Sequence, residues 1–185
     1  VSIAVDIGVR ATYGQAGTAM SYDAFLRYFV NTQKNHGIDE NRIFLLGEVY
    51  VDDLQNASKD ESDISVLREL CSQIDERLYP IIREIVKSGK TPIIIGGGHN
   101  NAYGNIKGCS LALDKSIEVL NIDPHADFRV EEGRHSGNGF RYAYNQSYLQ
   151  KYGVWGLNEN YNNQAILDSF TMDDNLFYES LDNLL

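Results

Sequence analysis

Ile117-Glu-Val-Leu-Asn-Ile-Asp123-Pro-His125-Ala-Asp127-Phe-Arg129 is the most informative stretch of the sequence. An apolar run of strand length ends, and Asp-x-His-x-Asp follows at once. In extended backbone the side chains repeat with a period of two, so Asp123, His125 and Asp127 would project to one side. Two carboxylates and an imidazole that converge at a strand end predict a divalent-metal site, with Mn²⁺ favoured over a structural zinc. The alternative is a polar loop that contains these residues without binding metal.

A second stretch, Thr91-Pro-Ile-Ile-Ile-Gly-Gly-Gly98-His99-Asn100, also ends an apolar run in a turn. The glycines allow a sharp turn and close approach of other groups. Taken alone, His99 is more typical of a helix-capping or core histidine, but the first stretch favours a metal shared by both strand ends. The glycine spacing does not fit the dinucleotide fingerprint, and no Gly-Lys-Ser/Thr follows to form a phosphate loop.

Apolar runs alternate with helical periodicity along the chain, which predicts an α/β fold with a parallel sheet. The predicted strands are Ile3–Ile7, Ile43–Val49, Pro92–Ile95, Ile117–Ile122 and Gly153–Leu157. The predicted helices are Tyr22–His36, Asp63–Ser88 with a kink or break at Pro80, Asn101–Leu113 and Asn162–Phe170. In such sheets chemistry gathers at the carboxyl ends of the strands, where both stretches end.

Composition narrows the class of protein. The chain has 185 residues, 43% of them hydrophobic, and a formal net charge of −10. It suits one domain, and its acidity argues against nucleic-acid binding. It contains no membrane-spanning apolar run, and the residues from Val1 onward lead us to expect no signal peptide. Only two cysteines occur, Cys71 and Cys109, so a disulfide scaffold is not expected and the cytoplasm is the default compartment.

Several motifs together resemble the arginase (ureohydrolase) superfamily. Gly-Gly-Gly98-His99-Asn resembles its Gly-Gly-Asp-His-Ser motif, and Asp123-Pro-His125-Ala-Asp127 resembles its Asp-Ala-His-x-Asp motif. The runs from Asp6 to Ala11 and from Gly133 to Phe140 look most like formimidoylglutamase. The motifs occur in the expected order and cover most of the chain.

The resemblance implies a three-layer α/β/α fold with a mainly parallel sheet, and two Mn²⁺ ions in a complete site. Asp123 would bridge the ions, His99 and His125 would each bind one of them, and Asp127 would be both a ligand and the group that accepts a proton during catalysis. Substrate contacts would come from Ser136, Asn138 and Arg129. Further candidates for binding a substrate carboxylate are Arg10, Arg134 and Arg141.

The implied reaction is hydrolysis of a linear amidine, N-formimidoyl-L-glutamate, to L-glutamate and formamide in histidine degradation. Agmatinase or another guanidino-acid hydrolase is the alternative enzyme, and a metal-poor, non-catalytic relative or fragment is the alternative of another class. The substrate would be a small molecule, and a homo-oligomer stays open.

The sequence departs from the family pattern in four places, one of which is Pro124 in place of the Ala of the second motif. Gly98 replaces the Asp of the first motif, and Phe140 stands where arginases have a histidine. A later Asp-x-Asp motif is missing, because Asp173 and Asp174 are adjacent and would point to opposite faces of a strand. We therefore expect a single arginase-like domain over residues 1–185 that is truncated on its C-terminal side. It would hold one metal ion or none, and would be inactive alone.

Overall fold

A parallel three-stranded sheet forms the framework of the computed structural model, which describes residues 1–184. The strands are β1 (Ile117–Ile122), β2 (Leu149–Leu157) and β3 (Leu176–Ser180), hydrogen-bonded in that order. The helices are α1 (Ile7–Arg10), α2 (Ser21–Phe29), α3 (Asp52–Ala57), α4 (Ile64–Lys87), α5 (Asn101–Leu113), α6 (Gly139–Asn145), α7 (Gln164–Met172) and α8 (Leu181–Leu184). The α/β fold with a parallel sheet is confirmed, and β1 has the predicted bounds. In the described part of the chain, no helix is both long and apolar enough to cross a membrane.

The three strands predicted nearest the N-terminus are wrong as regular strands. These segments are joined by isolated parallel bridges, from Ser2 to Glu48 and from Ser2 to Ile95. Ile3 and Ile7 are nevertheless fully buried, and Ile7 begins α1. The apolar residues of the other two segments are mostly exposed or only partly buried. The apolar runs therefore indicated burial correctly only in the first segment, and in none of the three did they indicate a regular hydrogen-bonded ladder.

The long helix α4 has almost the predicted bounds. Asp63 caps its first turn by accepting a hydrogen bond from the Ser65 amide at 2.8 Å. Pro80 lies inside a single continuous helix and does not divide it in two. Leu78 and Ile82, on either side of the proline, are fully buried, so packing on this stripe offsets the lost backbone hydrogen bond.

Two other helices have different bounds from those predicted. The helix predicted over Tyr22–His36 begins at Ser21 and ends at Phe29. The helix predicted from Asn162 begins at Gln164, because the Asn163 side chain accepts a hydrogen bond from the Ile166 amide at 3.0 Å. Such side-chain caps define helix starts more sharply than apolar periodicity does.

Apolar packing is concentrated on one face of the sheet and around α4. Helices α5, α6 and α7 cover the sheet face that carries Tyr152, whose ring stacks on Phe128 and Phe140. A second cluster packs α4 against the N-terminal segments. The turn after β1 contacts the loop before α5 at the carboxyl end of β1, where His99 lies beside Asp123 and Asp127.

Candidate metal centre

His99, Asp123 and Asp127 form one compact group of potential metal ligands. His99 Nδ1 lies 2.7 Å from Asp127 Oδ2 and 3.4 Å from Asp123 Oδ2, and one ligand atom from each residue lies within 4.8 Å of the others. Donors bound at about 2.1 Å to one octahedral ion are about 3 Å apart, so this spacing fits a divalent cation. The donor set, one imidazole and two carboxylates, also suits such an ion.

The two carboxylates meet by a different route from the one the sequence predicted. Strand β1 ends at Ile122, and Asp127 has a φ of +46°, in the left-handed region. The segment from Asp123 to Asp127 is therefore a turn, so the period-two argument was wrong even though these two side chains converge. A non-glycine residue in this region costs about 1–2 kcal/mol and is common at functional sites.

His125 lies outside the compact group but contacts one of its members. Its ring Nδ1 is 3.1 Å from Asp123 Oδ1, whereas the other oxygen of that carboxylate faces His99. The imidazole side chain is 54% exposed and stacks on Tyr161 with the ring centroids 5.3 Å apart. Asp123 thus stands between the two histidines, with one oxygen toward each.

Electrostatics favour a positive charge within the group. Burial by itself lowers the pKa of His99, but the hydrogen bond and charge of Asp127 and the charge of Asp123 outweigh it and raise that pKa above its ordinary value. In the metal-free protein, a proton on His99 thus partly neutralises the two carboxylates, as a bound cation would.

Two residues that depart from the family pattern, Gly98 and Phe140, pack close to the compact group. Phe140 packs edge-to-face under the His99 ring, with centroids 5.3 Å apart, so it supports the imidazole from the protein interior. A Cβ atom at Gly98 would lie 2.6 Å from the side-chain amide of Asn100 and 2.9 Å from Val9. The buried Asn100 side chain thus occupies the space that a larger residue at position 98 would need.

The predicted substrate loop divides into a buried and an exposed part. Asn138 is fully buried, accepts hydrogen bonds from Arg134 and His135, and donates to backbone carbonyls of its own loop. Its side chain therefore shapes the loop and is not presented to a substrate. Ser136 is partly exposed and is tied through its backbone amide to the Gly8 carbonyl at 2.9 Å.

The candidate arginines are also distinguished by their contacts. Arg134 is buried and donates to Asp75 at 2.7 Å and to the Asn100 carbonyl at 2.9 Å. Arg10 donates to the Ser58 and Glu61 carbonyls, and Arg141 donates to the Phe128 carbonyl and to Ser169. Arg129 pairs with Glu132 at 2.6 Å, and its side chain is the accessible one of the four.

The C-terminal acidic residues do not add to the group. Asp173 accepts hydrogen bonds from Tyr144 and from the Asn175 amide, which shapes the turn before β3. Within residues 1–184, the group of His99, Asp123 and Asp127 is the one cluster of three or more His, Cys, Asp and Glu side chains that could hold a metal ion.

Two side chains that contact the turn lie outside the sequence motifs. Tyr152 on β2 and Asn162 before α7 both hydrogen-bond to the backbone of the turn from Asp123 to Asp127. The available signal was the asparagine-rich stretch from Asn158 to Asn163, a composition typical of turns.

Comparison with known proteins places the chain in a family. The family model described as "Arginase family" matches residues 1–175. This chain belongs to the arginase family. The compact group of this arginase-family chain lies on the two motifs that resemble those of the superfamily.

Similar proteins include formimidoylglutamases. The enzyme of Streptococcus gordonii is 32% identical over 59% of this chain and 36% of its own length. That of Macrococcus caseolyticus is 26% identical over 98% of this chain and 55% of its own length. The crystal structure of Trypanosoma cruzi formiminoglutamase with Mn²⁺ has a TM-score of 0.76 at 21% identity, covering 99% of this chain and 59% of that one. The chain thus spans about half, or less, of the length of these curated relatives.

Proposed function

We propose that this chain carries part of the catalytic centre of a Mn²⁺-dependent hydrolase of linear amidines, with N-formimidoyl-L-glutamate as substrate. The observation that carries the proposal is the compact group at the carboxyl end of β1 in an arginase-family chain. The similar formimidoylglutamases support the substrate, and the crystal structure of the trypanosomal enzyme with Mn²⁺ supports the metal.

Each residue of the group has a proposed role. His99, Asp123 and Asp127 would hold one ion, and Asp123 and His125 would be the residues available to a second. A bound divalent ion supplies Lewis acidity and a water of lowered pKa. The Asp127 carboxylate accepts a proton from the attacking water, and Arg129 and Ser136 bind the glutamate part of the substrate.

Mn²⁺ titration of the metal-free chain tests the centre. We expect binding to the native chain and a loss of at least about 100-fold in affinity in Asp123→Ala, because that change removes a ligand that faces both histidines. Asp174→Ala, an exposed aspartate before β3, is the matched control and should bind like the native chain. Native-like Mn²⁺ affinity in Asp123→Ala contradicts the assignment.

Ligand binding to the Mn²⁺-loaded chain tests the substrate class. We expect calorimetry to detect binding of N-formimidoyl-L-glutamate to the native chain. Binding to Arg129→Ala should be about fivefold weaker, since an exposed ion pair with a carboxylate is worth about 1 kcal/mol. Agmatine lacks the carboxylates and should bind more weakly. Stronger binding of agmatine than of formimidoylglutamate would instead favour a guanidine substrate.

A further inference from the structure

The turn that carries Asp123 and Asp127 is held by side chains that lie outside both metal-site motifs. Asn162 Oδ1 accepts a hydrogen bond from the Ala126 amide at 2.9 Å, and Asn162 Nδ2 donates to the Pro124 carbonyl at 3.0 Å. One side-chain amide therefore satisfies both a donor and an acceptor of this turn, from the loop that follows β2.

Two buried side chains hold the other edge of the same turn. Tyr152 Oη donates to the Ala126 carbonyl at 2.6 Å, and Asn121 Nδ2 donates to Tyr152 Oη at 3.1 Å and to the His125 carbonyl at 3.3 Å. Tyr152 is fully buried, and burial raises its pKa well above the ordinary value, so the hydroxyl remains a donor. The stacked ring of Phe140, 4.4 Å away between centroids, fixes its position.

The turn from Asp123 to Asp127 needs these hydrogen bonds because its backbone conformation and its two neighbouring carboxylates are both unfavourable. Asp127 adopts the left-handed conformation, and its carboxylate lies beside that of Asp123 near a single histidine nitrogen. Like charges at this separation repel, and a relaxed φ at position 127 would redirect that side chain. The hydrogen bonds to Ala126 oppose both tendencies.

We propose that Asn121, Tyr152 and Asn162, here named the turn clamp, are positioning residues for the metal centre. The turn clamp fixes the backbone from Pro124 to Ala126 and thereby sets the separation of the two carboxylates before a metal ion arrives. This inference rests on the proposed metal-binding function. The two experiments below distinguish an error in the assignment of the turn clamp from an error in the proposed function.

The first arm compares two tyrosine hydroxyls of the same aromatic cluster. Tyr152→Phe removes the donor to Ala126 and keeps the stacked ring, whereas Tyr144→Phe removes a hydroxyl that donates to Asp173 at 2.6 Å. We expect Mn²⁺ affinity to fall about 10- to 100-fold in Tyr152→Phe and to stay within about threefold in Tyr144→Phe. Urea unfolding in chelator reports any general loss of stability in each variant.

The second arm needs no metal. Amide hydrogen exchange of Ala126 in the metal-free chain should speed up at least about tenfold in Asn162→Ala, because its acceptor is removed. Asn162→Asp keeps the accepting Oδ1, so the Ala126 amide should exchange about as slowly as in the native chain. Asn160→Ala changes an exposed residue of the same loop and should also leave the exchange of Ala126 unchanged.

The outcomes are separable. If the native chain binds Mn²⁺ and Tyr152→Phe binds it equally well, the turn clamp is overturned while the proposed function stands. If Tyr152→Phe and Tyr144→Phe weaken binding equally, the effect is general stability and the turn clamp is again overturned. If the native chain binds no Mn²⁺, the proposed function falls, and the exchange of Ala126 alone decides whether these residues hold the turn.

Discussion

His135 is a neutral, fully buried imidazole in the loop between β1 and α6. The Gly137 amide donates to Nδ1 at 3.0 Å, so Nε2 carries the proton and donates to Glu132 at 3.2 Å. Burial, followed by the positive charge of Arg129, lowers the pKa of His135 to about 4. The polar composition of this loop does not reveal that it folds inward.

The lowered pKa of His135 predicts an acid-sensitive contribution to stability. The unfolded chain binds this proton near pH 6.5 and the folded chain near pH 4, so the stability is complete above about pH 6.5 and is lost as the pH falls toward 4. The loss is on the order of 3 kcal/mol. Urea unfolding between pH 7.5 and 4.5 should show a shallower pH dependence for His135→Gln than for the native chain.

His36→Gln provides the control for that measurement. His36 is exposed, so its replacement should leave the pH dependence of the unfolding free energy as it is in the native chain. Identical pH profiles for His135→Gln and His36→Gln would show that His135 titrates normally.

At the scale of elements, helix α5 approaches α4 through two glycines. A Cβ atom at Gly108 would lie 2.6 Å from the Tyr79 carbonyl oxygen and 2.7 Å from Ile82 Cβ, and one at Gly104 would lie 2.9 Å from Leu78 Cδ2. Glycine costs a helix interior about 1 kcal/mol relative to alanine, so these positions trade helix propensity for close packing. The approach matters to the site because α5 begins two residues after His99.

Gly108→Ala should therefore destabilise the protein by about 1–3 kcal/mol despite the better helix propensity of alanine, since the contacted atoms are backbone and Cβ. Gly104→Ala should cost less, because the flexible end of Leu78 can move away. The measurement is the free energy of unfolding in urea for both variants. A Gly108→Ala variant at least as stable as the native chain would contradict this account of the α4–α5 contact.

At the scale of the whole molecule, one face of the sheet is apolar and exposed. In the part of the chain that the structure describes, Leu120, Ile122, Trp155 and Phe177 are all exposed on β1, β2 and β3. Parallel sheets are ordinarily covered on both faces, so this surface is unusual for the fold.

This exposed face predicts that the chain, studied by itself, binds hydrophobic dyes and self-associates. Association should increase with salt, because added ions screen the repulsion between molecules of net charge −10. The double variant Leu120→Thr/Ile122→Thr should lower dye fluorescence and reduce the association measured by sedimentation velocity, by severalfold. Val30→Thr, at an exposed position outside the sheet, is the control. Equal association of the double variant and the control would assign the effect to another surface.

Local features of the sequence determined much of the fold. The bounds of β1, α4 and α5 follow from apolar runs and, for α4, from the Asp63 cap, which act within a few residues. Strand β3 was not predicted, because its five residues carry no periodicity that distinguishes them from a loop. Of the three N-terminal apolar runs, only Ile3–Ile7 is buried as predicted, and none forms a regular strand.

For the candidate site as well, the sequence determined some features and the tertiary structure others. The sequence by itself determined which side chains could bind a cation, because His99, Asp123 and Asp127 stand in short motifs that follow apolar runs. Only the tertiary structure decided how they meet: Asp127 turns left-handed while Tyr152 and Asn162, 26 and 36 residues beyond Ala126, hold the turn. Hydrogen bonds over such separations leave no local pattern, because their partners become neighbours only when the chain has folded.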